Sequence, residues 1–234
     1  MRPGDDLAGM LAGRAAREGV VPGDVVVVAH KVVSKAEGRI VALASVHPGP
    51  AARGLAAQTG KAPALCELIL AESRRVVRRR GATLICETRH GLVCANAGID
   101  ASNAPGGTVV LLPVDPDASA RRLQGPIAAA VGGRVGLVVT DTHGRAFRRG
   151  LVNVAIGVAG FEAVVDHRGG RDRGGRTLVA TDQALADELA AAAGLYMGKA
   201  SGTPAVVASG VATRPSPGGA GALVRERAHD LFRT

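Results

Sequence analysis

The stretch "VGLVVTDTHGRAFRRG" (residues 135–150) changes character in its middle. Its first six residues are apolar or β-branched and predict a buried strand. Asp141 and Thr142 then follow as adjacent oxygen donors, with Arg145 and Arg148 close behind them. A strand that ends in this way leads either into a plain polar turn or into a place where a metal ion and a phosphate are held. This stretch alone leaves both interpretations open.

Strand and helix patterns elsewhere intermingle without a regular strand–helix–strand alternation. The run "VVVVAHKVV" (25–33) predicts a second buried strand, and the apolar spacing over 63–80 predicts a helix that ends in an arginine cluster. Asp115 followed by Pro116 is a strong signal for a helix start. We therefore expect the α+β fold class with a mixed sheet, in a single domain over residues 1–234, with two subdomains as an open alternative.

The composition limits the class of protein. Hydrophobic residues make up 47% and aromatic residues only 2% of the 234 residues, so Val, Leu, Ile and Ala must build the core. No apolar run approaches the roughly 18 residues of a membrane span, and the first residues, "MRPGDDLAGM", lack the apolar segment of a signal peptide. We therefore expect a soluble cytoplasmic protein with no membrane partner.

The three cysteines are too few and too odd in number for a disulfide framework. Cys86, His90 and Cys94 are spaced four residues apart, which is one possible pattern for metal ligands. The surrounding sequence predicts two strands around a turn, however, and such a hairpin would not hold this spacing on one face. We expect ordinary thiols in a reducing compartment.

The chain has a formal net charge of +9, and 25 of its 29 basic residues are arginine. A basic surface attracts phosphorylated small molecules as well as nucleic acid. The clusters "RRVVRRR" (74–80) and "RAFRR" (145–149) support one alternative, a non-enzymatic binder of nucleotides or nucleic acid. With one Tyr, three Phe and no Trp, the chain offers few aromatic rings for base stacking, so no nucleic-acid partner is expected.

Two further stretches contain candidate ligand-binding residues. "AHKVVSKAEGR" (29–39) holds two of the four lysines, and Lys35 at a predicted strand-to-turn junction could bind phosphate or lie in a solvated turn. "CANAGIDASNAPGG" (94–107) places Asp100 and Asn103 among small residues, which suits either a ligand site or a plain loop. If these loops converge on the strand end at residue 141, their oxygen donors suit Mg²⁺ or Mn²⁺.

Taken together and in order, these stretches resemble the coenzyme F420-0:L-glutamate ligase family, the F420 γ-glutamyl ligases of deazaflavin biosynthesis. The resemblance covers nearly the whole chain. Its motifs are "RPGDDL" (2–7), "KVVSKAEGR" (31–39), "ETRHGLVCANAGIDASN" (87–103), "LLPVDPDASARRL" (111–123), "TDTHGRAFRRG" (140–150), "VAIGVAG" (154–160), "ATDQALADELAAAAGLYMGKASGTPAVV" (180–207) and "DLFR" (230–233). Each motif is weak alone, but their joint order and spacing are highly specific.

The resemblance implies a GTP-dependent ligase that joins the carboxylate of F420-0 to the amine of L-glutamate through an acyl phosphate. It also implies a divalent metal ion, Mg²⁺ or Mn²⁺, and often a monovalent cation such as K⁺. Members of the family have an unusual α+β fold and form an intertwined homodimer with the site in a groove. GTP, F420-0 and glutamate are all anionic, which agrees with the basic charge of the chain.

The resemblance also assigns residues. Asp100, Asp141 and Thr142 match the metal-binding positions of the family, and Lys35 and Asn103 match positions that contact the nucleotide. His30 matches a further nucleotide-contacting position, at which the family usually has a hydroxyl residue. His143 stands where the family more often has an aromatic residue or Met. At Ala146 and Phe147 the family more often has Pro and Trp, which we interpret as packing changes.

Proximity to Asp141 suggests a further hypothesis that the resemblance does not supply. Arg145 and Arg148 would grip phosphate or substrate, which makes Asp141, Arg145 and Arg148 the candidate catalytic residues.

Two departures from the family pattern bear on function. Family members have a short segment before "RPGDDL" that contributes to nucleotide binding, whereas this sequence starts at Met1 just before that motif. We therefore expect either a misassigned start or an incomplete nucleotide site. Some relatives carry a C-terminal flavin-reductase-like domain, which this chain lacks, so we expect the stand-alone form of the ligase. A related ligase with a different carboxylate substrate is the remaining alternative.

Overall fold

The computed structural model describes residues 1–102, 104–198 and 201–232, and the following elements lie within these ranges. The α-helices are α1 (Leu7–Arg17), α2 (His30–Ala36), α3 (Pro50–Thr59), α4 (Pro63–Glu72), α5 (Pro116–Val131) and α6 (Leu185–Met197). The strands are β1 (Val25–Ala29), β2 (Ile40–Ala42), β3 (Ser73–Arg80), β4 (Thr83–Thr88), β5 (Val93–Ala95), β6 (Thr108–Val110), β7 (Gly136–Arg145), β8 (Arg148–Ala159), β9 (Val165–Asp166), β10 (Asp182–Gln183) and β11 (Ala205–Ala208).

A four-stranded sheet with the order β11-β1-β7-β8 forms the centre of the fold. β1 pairs antiparallel with β11 and parallel with β7, while β7 and β8 form a long antiparallel hairpin. In the parallel pair, Ala29 at the end of β1 lies opposite Thr140 of β7. The expected α+β class with a mixed sheet is therefore confirmed.

Helices cover both faces of this sheet. Because side chains alternate along a strand, Val26 and Val28 pack with α1 and α5, whereas Val25 and Val27 pack with α6. A strand that is buried on both faces has no polar side to present, which explains the unbroken valine run.

Smaller sheets surround the central one. β3, β4 and β5 form an antiparallel three-stranded sheet, and β2 pairs with β6 and β9 with β10. Cys86 and Cys94 lie opposite each other in the β4–β5 ladder, and both are buried free thiols, as is Cys66. The predicted hairpin is thus confirmed.

Two of the predicted elements were only partly right. The strand predicted over 25–33 ends at Ala29, and the chain continues as helix α2, whose Val33 packs into the core beside α1 and α5. The helix predicted over 63–80 ends at Glu72, after which the arginine-rich segment forms β3. In both places the demands of tertiary packing outweigh a weak local preference.

The helix start at Asp115 is confirmed. The Asp115 side chain accepts a hydrogen bond of 2.8 Å from the backbone N–H of Ala118, and Pro116 occupies the first helical turn. The helix closes at Gly132 in the left-handed conformation, φ 74°. Within the described ranges, no helix is long and apolar enough to cross a membrane.

The start of α5 packs closely on the sheet at Gly157. A Cβ atom at Gly157 of β8 would collide with the backbone carbonyl of Pro116. We expect Gly157→Ala to lower the free energy of unfolding by about 1–3 kcal/mol in chemical denaturation. In the same hairpin, Gly144→Ala meets only a Leu151 methyl group at 3.9 Å and serves as the matched control. Equal losses in the two variants would contradict this packing.

Candidate active site

Asp141 lies on β7 just beyond its fully buried part, with its side chain 13% exposed. One carboxylate oxygen, Oδ1, accepts a hydrogen bond of 2.7 Å from the backbone N–H of Thr142. Two histidine rings approach the same carboxylate, with Nε2 of His30 at 3.1 Å from Oδ1 and Nε2 of His143 at 3.1 Å from Oδ2. Both carboxylate oxygens are therefore held by neighbouring nitrogen atoms.

The parallel pairing of β1 and β7 brings His30 to Asp141. Ala29 and Thr140 are opposite each other, so the next residue of each strand emerges at the same edge of the sheet. His30 is buried, and its Nδ1 lies 3.4 Å from the Ser34 hydroxyl. Among the described residues, no group has hydrogen-bond geometry toward its Nε2, which contacts Oδ1 of Asp141 at 3.1 Å.

The environment of Asp141 favours its ionised form. Burial would raise the pKa of this carboxyl, but the charge of His30 and the hydrogen bond from His143 outweigh burial and hold the pKa well below its usual range. The same negative charge acts on Cys94 of β5, where burial first and Asp141 second raise the pKa of the thiol to about 12.

Asp100 is held by a different set of donors. Lys31 approaches Oδ2 with its ammonium at 2.6 Å, while Ser102 donates its backbone N–H to Oδ1 at 2.6 Å and its hydroxyl to Oδ2 at 2.9 Å. Partial burial would raise the pKa of Asp100, but the hydrogen bonds from Lys31 and Ser102 outweigh it, and the pKa is lowered. Asp100 is thus a second ionised carboxylate.

The first turn of α2 joins the two carboxylates. His30 contacts Asp141, and the next residue, Lys31, contacts Asp100. Because adjacent Cα atoms are only about 3.8 Å apart, one short piece of backbone reaches both aspartates. The sequence pattern did not show that Lys31, rather than Lys35, makes the contact with Asp100; Lys35 lies in the last turn of α2.

The remaining predicted residues fall into different places. Thr142 donates its hydroxyl to Asn153 Oδ1 at 2.9 Å, across the β7–β8 ladder. Arg145 and Arg148 lie at the exposed tip of this hairpin, where Arg145 donates to the carbonyl of Arg149. Asn103 lies outside the described residues.

The sequence alone left His143 without a role. The structure gives it a contact with Asp141, through a strand position two residues away on the same face of β7. This period-two spacing is the one local signal that could have indicated the contact.

The donor chemistry of this region fits a divalent cation. Carboxylate and hydroxyl oxygens are the groups that Mg²⁺ and Mn²⁺ prefer, with substrate phosphates and water completing the shell. Over the part of the chain that the structure describes, no three His, Cys, Asp or Glu side chains form a metal cage by themselves. A cation held by Asp100, Asp141 and Thr142 would therefore need oxygen atoms from substrate or water. The protein is thus an α+β protein in which two aspartates, Asp100 and Asp141, lie beside the basic side chains of Lys31 and His30.

Comparison with known proteins identifies the family. The chain matches the family described as F420-0:Gamma-glutamyl ligase over residues 1–210. A protein from Methanopyrus kandleri named coenzyme F420:L-glutamate ligase is 48% identical, with 100% of this chain and 93% of the relative aligned. Proteins of the same name from Methanothermobacter thermautotrophicus and Archaeoglobus fulgidus are 46% and 44% identical, covering 98% and 90% of this chain and 93% and 84% of the relatives. The chain therefore belongs to the F420-0:γ-glutamyl ligase family.

The lowered pKa of Asp141 predicts a pH dependence of stability in chelator-treated protein. A depressed folded-state pKa stabilises the fold above the unfolded-state pKa of about 4, and this contribution is lost as the pH falls below it. We expect Asp141→Asn to cost about 1–3 kcal/mol of unfolding free energy at pH 7, with the deficit shrinking below pH 4.

Denaturant titrations between about pH 3 and 7 measure this deficit. Asp182→Asn, at an aspartate whose side chain is 53% exposed, is the control and should change the unfolding free energy by less than about 0.5 kcal/mol. A deficit for Asp141→Asn that is constant over the whole pH range would contradict the assignment.

Proposed function

We propose that this protein is a ligase that forms an amide bond between a carboxylate of coenzyme F420-0 and the amine of L-glutamate. The observation that carries the proposal is the pair of ionised carboxylates, Asp100 and Asp141, joined by the first turn of α2. Their positions lie within the match to the F420-0:γ-glutamyl ligase family. The names of the relatives supply the substrates.

The reaction we propose has two steps and consumes GTP. The F420-0 carboxylate attacks the γ-phosphorus of GTP, so that an acyl phosphate forms and GDP leaves. The glutamate amine then attacks the acyl carbon, and inorganic phosphate leaves as the amide forms and the amine loses a proton. A divalent cation held by Asp100, Asp141 and Thr142, either Mg²⁺ or Mn²⁺, would supply positive charge near the transferred phosphoryl group.

The protein's own residues have the following roles in this proposal. Thr142 and the two aspartates would hold the cation, and through it orient the phosphates; the hydrogen bonds from the Thr142 backbone N–H to Asp141 and from the Thr142 hydroxyl to Asn153 keep two of these groups in place. His143 keeps the Asp141 carboxylate in one orientation, which lowers the cost of arranging the site. We assign contacts with the nucleotide to His30 and Lys35, which belong to the same short helix, and to Asn103.

Arg145 and Arg148 complete the proposal as phosphate or substrate grips at the tip of the β7–β8 hairpin. Because both are exposed on the free chain, their grip requires substrate or a second protomer to reach the tip. A homodimer in the cytoplasm, using K⁺ as an additional cation, is the form that we expect to be active.

The direct test is incubation with F420-0, L-glutamate, GTP and Mn²⁺, followed by mass spectrometry. We expect an adduct heavier by one glutamate residue, together with GDP and phosphate. Asp141→Asn should abolish the adduct because it removes a carboxylate charge that holds the cation, while Asp182→Asn should retain it. Absence of both adduct formation and GTP binding in the unaltered protein would refute the proposal.

The arginine assignment is tested separately by steady-state kinetics. We expect Arg148→Ala to lower kcat/KM for GTP or F420-0 by about tenfold or more, since a lost charge-assisted phosphate contact is worth 1.4 kcal/mol or so. Arg80→Ala, at the exposed end of β3, removes an arginine outside the site and is the matched control. If Arg148→Ala left both kcat and KM unchanged, Arg148 would have no role in phosphate binding.

A further inference from the structure

Lys31 occupies an unusual position for a lysine beside an expected cation site. Its ammonium lies 2.6 Å from Oδ2 of Asp100 and 2.5 Å from the hydroxyl of Ser102. A magnesium or manganese ion bound to the same carboxylate would lie about 2.1 Å from an oxygen atom. The ammonium therefore stands where a cation bound through Oδ2 would approach.

We propose that Lys31 is an internal substitute for the divalent cation, and that cation binding through Oδ2 of Asp100 requires its displacement. The inference rests on the proposed function only in its assumption that Asp100 is a cation ligand. It concerns the order of events at that ligand: the Lys31–Asp100 ion pair opens before or as the cation enters.

The hydrogen bonds of Asp100 support this competition. An ionised carboxylate offers about four lone-pair directions, two on each oxygen. On Oδ2, Lys31 and the Ser102 hydroxyl take up two, and on Oδ1 the Ser102 backbone N–H takes up one. A cation that binds through Oδ2 must displace one of these donors.

Electrostatics selects Lys31 as the donor that leaves. The ammonium carries a full positive charge, so a divalent cation a few ångströms away would be strongly repelled by it, whereas the Ser102 hydroxyl is neutral and can remain. The Lys31 side chain is 24% exposed and has four rotatable carbon–carbon bonds, which give its ammonium a route toward solvent. At Asp141 the corresponding partners are imidazoles, which carry a charge only when they are protonated.

A purely structural ion pair would behave in the opposite way. If Lys31 only held the loop around Asp100 in shape, its removal would loosen the site, and cation affinity would fall or stay constant. If Lys31 competes with the cation, its removal should raise cation affinity although a favourable contact has been lost. The sign of the change therefore separates the two roles.

The experiment measures Mn²⁺ binding to the free protein without substrates, from the electron paramagnetic resonance signal of unbound Mn²⁺. We expect Lys31→Met to bind Mn²⁺ about tenfold or more tightly than the unaltered protein, because a nearby positive charge is gone. Lys31→Arg retains the charge and should stay within about threefold of the unaltered protein. Lys61 lies between α3 and α4. The Lys61→Met variant has the same net charge as Lys31→Met and should leave the Mn²⁺ affinity unchanged.

Asp100→Asn, alone and combined with Lys31→Met, completes the design. Loss of the tight binding in the double variant supports the inference, because it places the cation at Asp100. Equal or weaker Mn²⁺ binding by Lys31→Met overturns the inference while leaving the ligase proposal to the adduct assay. Mn²⁺ binding that is insensitive to Asp100→Asn, or absent from both the unaltered protein and Lys31→Met, also overturns the inference.

Discussion

The parallel register between β1 and β7 is the constraint on which the rest of the site depends. It sets Ala29 opposite Thr140, and the residues that follow, His30 and Asp141, consequently meet at one edge of the sheet. In this register Val26 and Val28 pack in one helical layer and Val25 and Val27 in the other, so both faces of β1 are buried. The pairing of two buried strands thereby brings the buried His30 ring to the Asp141 carboxylate.

The site is formed by an abrupt change of backbone conformation immediately after the last paired residue of β1. β1 stops and α2 starts at His30, with no extended linker between them. The helical turn sends consecutive side chains in different directions, so that His30 and Lys31 reach separate aspartates. If β1 had continued as a strand, His30 and Lys31 would also have pointed in opposite directions, but the backbone would have run on beyond the edge of the sheet. The short helix keeps both basic groups at that edge.

Much of this arrangement could be predicted from the sequence, and the failures have identifiable causes. The valine run and the Asp115–Pro116 helix start depend on local patterns and were predicted correctly in type. The arginine-rich segment over 74–80 has residues that suit a helix, and only its pairing with β4 makes it a strand. The contacts of His143 and Lys31 with the aspartates depend on register and on side-chain direction, which a single sequence does not specify.

The three thiols of this fold have a practical consequence. Cys66, Cys86 and Cys94 are all buried, and burial raises the pKa of the latter two, with Cys94 at about 12. Buried thiols that stay protonated react slowly with alkylating reagents. A cysteine introduced at the exposed Phe147 would therefore be the one readily labelled thiol of the folded chain. A fluorophore or spin label placed there would report on the hairpin tip without removal of any native cysteine.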